Sequence, residues 1–414
     1  MFSFINKLDG RSRTLLYACF FAFFCNGALT LTMGSAIPDL KATYGLNDTI
    51  SGLFLSAHSA GNLVAGFVSG LVPLYLGQRR SIMLLSALAF VGFLMMILWG
   101  NPVWLFMAFI LTGFGRGSVS NFDNRMVNIL SGGSPAAANL LHSSFAVGAI
   151  LAPMIFLGMR TAVSWRAGLG VVVVLGTISV CNLGRMRLED DRPSRADKVN
   201  STLVFLKNPS FLIQAMMMFC YLCSEYAING WLVTYIQSKT ELLSAFGQTA
   251  QAQQAGAVAY SQSMATLLWA VILAGRLTCA VLSARISQKK LMLVASVGVA
   301  LFFGMMLSSG TIALVTASVA GLGFCMAGIC PMIYSDAAIF TNTYPMATSA
   351  LLGIGSSGAI LMPVLVGAIA ERFGFTGGMS AIFVTVVLLV VFAALNVTVK
   401  TRLPQQPAHD AARA

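Results

Sequence analysis

Apolar runs of about 20 residues, each closed by a short polar turn, recur along the whole chain. A helix needs about 20 apolar residues to cross a hydrocarbon layer of about 30 Å. Twelve segments meet that requirement, at approximately 13–37, 51–75, 81–99, 102–129, 137–159, 164–183, 210–236, 260–284, 290–308, 312–338, 346–370 and 376–399. The runs lack the period-two alternation of a membrane barrel, so they predict helices. Asn101-Pro102, Ser131-Gly132-Gly133, Asn208-Pro209 and Tyr344-Pro345 punctuate them as turn signals. The longest polar interruption, RMRLEDDRPSRADK at 185–198, reads as a solvated linker between six spans and six more. The expected organisation is an N-terminal six-helix bundle at 1–184, a linker at 185–209, a second six-helix bundle at 210–400 and a tail at 401–414.

Composition agrees with the pattern. Hydrophobic residues make up 57% of the chain and charged residues 9%, with a mean hydropathy of +0.82. A soluble domain carries about 25% charged residues, so this chain is read as an all-α integral membrane protein in contact with lipid. The net charge of +12 does not call for nucleic acid, because its distribution follows the positive-inside rule. With the N-terminus inside, Arg11, Arg13, Arg79, Arg80, Arg185, Arg187, Lys289, Lys290 and Lys400 share the cytoplasmic side. The outer side holds Lys41, Arg160, Arg166, Lys239 and Arg372. Both termini are therefore expected in the cytoplasm, with the protein in the plasma membrane as a monomer. Lys7, Arg11 and Arg13 precede a span with no small-residue cleavage site, so that span is expected to remain as an anchor. All eight cysteines fall within apolar spans and read as small packing residues, Cys220-x-x-Cys223 included.

The two halves echo each other. GAILAP at 148–153 returns as GAILMP at 358–363, an offset of 210 residues. At the same offset Gly113-Phe114 meets Gly323-Phe324, and Arg79-Arg80 meets Lys289-Lys290. Asn26 and Asn229 align the first and seventh spans. A duplicated six-helix unit follows, with Pro153 and Pro363 able to bend corresponding helices.

Two such bundles resemble the major facilitator superfamily. Its turn between the second and third helices, G-x-L-x-D-R-x-G-R-R, is matched in part by Gly70-Leu-Val-Pro-Leu-Tyr-Leu-Gly77-Gln-Arg79-Arg80, with Leu74 and Tyr75 replacing the Asp and Arg. Within it, Asn139-Leu-Leu-His142-Ser-Ser-Phe145-Ala-Val-Gly148 and Glu225-Tyr-Ala-Ile-Asn229-Gly230-Trp231 resemble the fucose–proton symporter-like sugar permeases. That family carries acids in its first and fourth helices. Here the first span has none, and Ser120 stands at the fourth-helix position. The resemblance implies two pseudo-symmetric six-helix bundles, with the fourth and seventh helices lining a central cavity.

An ionisable group at mid-membrane costs about 2.5–3.5 kcal/mol on insertion scales, so each one present calls for a role. Arg116, mid-span in the fourth helix, and Glu225, mid-span in the seventh, are expected to share the cavity as substrate hook and protonatable site. Their bland alternative is a static structural ion pair. Asn26, Asn121, Asn124 and Asn229 offer amides for hydroxyl recognition, and Trp231 and Trp269 offer flat faces for a sugar ring. His142 is a second candidate for proton coupling, with a plain interhelical hydrogen bond as its alternative. Asp123 and Asp336 are expected to form gate ion pairs with Arg79, Arg80, Lys289 and Lys290. Arg276 reads as architectural.

These residues fit a secondary transporter of a small polar solute, sugar-like and proton-coupled, working by alternating access. The alternatives are a carrier of organic anions or acid sugars using Arg116, and an efflux antiporter. No HExxH, GxSxG or Walker sequence is present, so neither an enzyme nor an ATP-driven pump is expected, and no cofactor or metal.

Overall fold

The computed structural model describes residues 8–131, 135–185, 203–283, 285–341 and 343–399. Most of the expected linker, the expected tail and the side chain of Asn139 lie outside them. The first half comprises α1 (Gly10–Tyr44), α2 (Asp48–Leu76), α3 (Gln78–Leu98), α4 (Pro102–Leu130), α5 (Pro135–Ala162) and α6 (Trp165–Arg185). The second begins with a short 3₁₀ turn (Leu203–Lys207) and α7 (Pro209–Ser238). After a second 3₁₀ turn (Thr240–Phe246) come α8 (Ala250–Leu282) and α9 (Gln288–Ser308). It closes with α10 (Ile312–Met326), α11 (Ile329–Asp336), α12 (Ala338–Thr341) and α13 (Pro345–Thr398).

The tenth pass is one path cut into α10, α11 and α12. The last helix does the opposite. At about 1.5 Å per residue, a straight helix of 54 residues would greatly overrun a bilayer about 30 Å thick. Gly374 breaks it, with φ 73° and ψ 170°, a conformation open to glycine and not to L side chains. Two limbs result, which gives twelve membrane-length passes among the described residues, as the apolar runs predict. The starts follow local chemistry. Asn101 caps α4 ahead of Pro102, and Asn208 caps α7 ahead of Pro209, each side-chain oxygen accepting from a backbone amide at 2.9 Å.

The repeated hexapeptide acquires a physical reason. A Cβ on Gly148 would collide with the Phe24 carbonyl of α1, and one on Gly358 with the Phe219 carbonyl of α7. Gly113 and Gly323 do the same against His58 of α2 and Leu268 of α8. Each half therefore uses the same glycines to bring the same helix pairs to backbone contact.

The halves meet along three seams: α2 against α13, α5 against α8, and α1 against α7. The face where α1 begins is termed basal, and the opposite face, where α1 turns into α2, distal. Near the distal face the seams are tight. Glu371 of α13 accepts from Asn47 Nδ2 at 3.2 Å and from the Thr49 amide at 3.3 Å, and it also binds the Thr49 hydroxyl. Gln262 of α8 donates to the Ser35 carbonyl of α1 at 3.2 Å.

Candidate functional site

Midway between the halves lies a chamber of about 260 Å³. Thr30 of α1, His58 and Asn62 of α2 and Arg116 of α4 form its first-half wall. Glu225, Tyr226 and Asn229 of α7, Trp269 of α8, Tyr334 of α11 and Ser356 of α13 form the other. The α7 contributors follow helical spacing, residues 222, 225, 226, 229 and 230 facing one way. A second space of about 340 Å³ extends the chamber towards the basal face, between Gly66, Phe67, Ser120 and Asn121 on one side and Ser349 and Gly353 on the other.

Arg116 is held from both halves. Its Nε donates to Thr30 Oγ1 at 2.9 Å, and its Nη1 to Asn62 Oδ1 at 3.3 Å and to Tyr226 Oη at 2.9 Å. The guanidinium carbon lies 5.6 Å from the centre of the Tyr226 ring. Behind it, Asn26 donates to the Arg116 carbonyl at 3.2 Å and to Ser120 Oγ at 2.9 Å. Glu225 is half-buried in the chamber wall, and no ion pair joins it to Arg116. Its carboxylate lies in the fields of Arg276 and Arg116, with the Tyr221 hydroxyl against it. Trp269 Nε1 donates to Asn229 Oδ1 at 3.0 Å, which leaves the Asn229 amide nitrogen for a ligand. Phe145 of α5 lies 5.3 Å from the Trp269 ring across the seam. His58 meets Thr112 Oγ1 at 3.0 Å.

Of the residues singled out from sequence, Arg116, Glu225, Asn229 and Trp269 come together in the chamber, and Asn121 lines its basal extension. Others are elsewhere. Trp231 is 0% exposed, with its Nε1 on the Pro363 carbonyl at 3.0 Å and its ring 5.4 Å from Phe375, so it packs the second half and offers no face to a solute. Asn26 is buried at 3% exposure and braces Arg116 from behind. Asn124 is exposed and turns back to the Ser120 carbonyl at 2.8 Å. His142 is exposed beside the Phe23 ring, 5.4 Å between centres, outside the chamber wall.

The expected gate pairs are not formed in this conformation. Asp123 is 0% exposed and faces Cys19 of α1, and among the described residues neither oxygen has a partner within hydrogen-bond geometry. Asp336 accepts from Gln214 Nε2 and Asn396 Nδ2, both at 2.8 Å, inside its own half. Arg79 binds the Gly184 carbonyl, Lys289 donates to the Val399 carbonyl at 2.9 Å, and Arg80 and Lys290 are exposed. Both acids are drawn into their own bundles. Residues not singled out for the site are Thr30, Asn62, Tyr226, Tyr334 and Ser356. Tyr226 stands next to Glu225 in the chain, so proximity alone could have pointed to it.

The model of the Major Facilitator Superfamily matches residues 19–258. Membrane protein MosC of Rhizobium meliloti is 27% identical over 401 residues, covering 94% of this chain and 91% of its own. In fold, the chain is similar to the crystal structure of nucleoside transporter NupG, with a TM-score of 0.71 at 15% identity over 94% of this chain and 99% of that one. It is also similar to a bacterial homolog of the human lysosomal transporter Spinster, solved in an inward-facing and occupied conformation. There the TM-score is 0.75 at 13% identity, over 94% of this chain and 98% of that one. The family match spans more than half of the chain, and two six-helix halves enclosing a central polar chamber are its architecture: this protein belongs to the major facilitator superfamily of membrane transporters.

Proposed function

We propose that the chain is a proton-coupled symporter of a small polar solute, sugar-like, which alternates access to the chamber between the two membrane faces. One observation carries the reading: Arg116 and Glu225, from opposite halves, face one mid-depth chamber without pairing to each other. Two opposite charges held apart in a cavity are costly to keep empty-handed, and a solute plus a proton supplies both with partners. Thr30, Asn62, Asn229 and Ser356 offer the hydroxyl and amide groups that a polyol needs, and Trp269 a flat face. The basal face is read as cytoplasmic from its Lys and Arg, so this conformation, closed at the distal seam, faces inward. His142, exposed beside the Phe23 ring and outside the chamber wall, is retained as a second proton-accepting candidate, and Asp123, Asp336, Arg79, Arg80, Lys289 and Lys290 as basal gate candidates for the opposite conformation.

The test is accumulation in vesicles under an imposed pH gradient. Glu225→Gln is expected to abolish pH-driven uptake while solute counterflow persists. Full pH-driven accumulation by that variant overturns the coupling role. The guanidinium in the chamber favours a second reading, an acidic sugar or other organic anion. Parallel uptake of glucose and glucuronate by wild type and Arg116→Ala separates the two.

A further inference from the structure

The chamber and its basal extension adjoin along five shared wall residues: Asn62, Arg116, Tyr226, Leu352 and Ser356. Two of these touch across the gap between the halves. Tyr226 of α7 accepts a hydrogen bond from Arg116 of α4 and lays its ring beside the guanidinium. Leu352, on α13, completes the rim from the second half.

The donor count on Arg116 gives this contact a use. A guanidinium carries five N–H groups. Nε is committed to Thr30, and Nη1 divides its two between Asn62 and Tyr226. Among the described residues Nη2 has no hydrogen-bond partner, yet it is not sealed from the cavity. Departure of the phenol therefore leaves three donors: one on Nη1 and two on Nη2. Donors on both terminal nitrogens are the fork that binds two adjacent oxygens, a carboxylate or a vicinal diol. Thr30 and Asn62, both on the first half, hold the arginine in place while this exchange occurs.

We infer that Arg116 and Tyr226 form a thin gate between chamber and basal vestibule, and that a solute bearing two adjacent oxygens opens it by displacing the Tyr226 hydroxyl. This rests on the transport reading for the solute, and on geometry alone for the gate. Tyr226 is then a specificity residue as well as a barrier. A solute lacking the paired oxygens leaves the phenol in place and stays in the vestibule.

Cys330 provides a native reporter, because it lines the chamber and does not line the vestibule. The experiment measures its modification rate by a small impermeant thiol reagent, in membrane vesicles with the basal face outward, by mass spectrometry of the Cys330 peptide. No solute is present. Tyr226→Phe keeps the ring and removes the hydroxyl, and Tyr226→Ala removes both. A hydrogen bond to a charged group shifts an equilibrium by roughly tenfold or more, so the Phe variant should label about tenfold faster than wild type and the Ala variant faster still. Equal rates in all three overturn the gate, whether or not the protein carries sugars. A rise in the Ala variant alone overturns the displacement mechanism, because the ring without the hydroxyl would then suffice. Glucose and glucuronate uptake by Tyr226→Phe reads the other arm: KM should fall for whichever solute is carried, since its competitor for Arg116 is gone. An unchanged KM beside faster labelling leaves the gate standing and overturns the competition.

Discussion

The distal seam and the basal mouth are built from the same helices, yet they tolerate different things. At the distal seam, Gly34 of α1 lies against the Asn229 carbonyl and Gly52 of α2 against the Pro363 carbonyl, each so close that a Cβ would collide with backbone. At the basal mouth, Gly66 of α2 and Gly353 of α13 have nothing within 4 Å of where a Cβ would stand. The contrast says which end the halves have closed upon. It also says how they close, since backbone-to-backbone contact is available only to glycine and leaves no soft side chain to absorb a misfit.

The largest expected effect follows from that contrast. Gly34→Ala or Gly52→Ala should cost the distal-closed state about 1–3 kcal/mol of overpacking, moving the population towards the distal-open form by about five- to 150-fold. Gly66→Ala and Gly353→Ala should leave it unchanged within about 0.5 kcal/mol. Labelling of Asn121→Cys, in the vestibule wall, checks both: its rate from the basal side should fall for the first pair and hold for the second. Equal effects at the two ends would break the comparison.

A second contrast sets the halves against each other. Asp336 is gripped by Gln214 and Asn396, whereas Asp123, towards the same end of α4, faces Cys19 and among the described residues has no partner within hydrogen-bond geometry for either oxygen. Asp336→Ala strands two buried amides and should cost about 1–3 kcal/mol of stability. Asp123→Asn keeps the shape of the side chain, strands no buried amide and should cost less. Thermal unfolding in detergent ranks them, and the reverse order would contradict the picture.

The smallest effect concerns the distal rim. Glu371 reaches from α13 to the first turn of α2 and serves as an anionic cap from the other half. Glu371→Gln keeps the shape and loses the charge. At this exposed site that is worth about 0.3–1 kcal/mol, a shift of about two- to fivefold in the Asn121→Cys labelling rate that should shrink with added salt.

Much of the fold was legible in the chain, because a membrane leaves few options. Run length gives the crossings, polar breaks give the turns, and duplicated glycines give the paired helices. The last turn shows the limit: Gly374 stands between two apolar runs, and only length forces the bend there. Legibility of the site was partial for a geometric reason. Position along a span gives depth, whereas facing depends on about 100° of rotation per residue. Asn229 and Trp231 share a depth, yet two residues apart they point to nearly opposite sides, one into the chamber and one into packing. Asp123 fails differently. Seven residues from Arg116, it keeps nearly the same facing, but α1 covers that stretch of α4 and seals the acid behind Cys19. No single-helix argument contains the neighbour.

The central claim is that one chamber opens to one face only as it closes to the other. Spin labels at Val163 and Gly310 span the distal rim, and labels at Leu76 and Ile286 span the basal rim, all exposed positions on opposite halves. Distances for both pairs, measured in lipid nanodiscs across a pH series with and without glucose, should change in opposite directions, the distal pair lengthening as the basal pair shortens. Both pairs lengthening together, or the basal distance moving while the distal one stays fixed, would contradict the account.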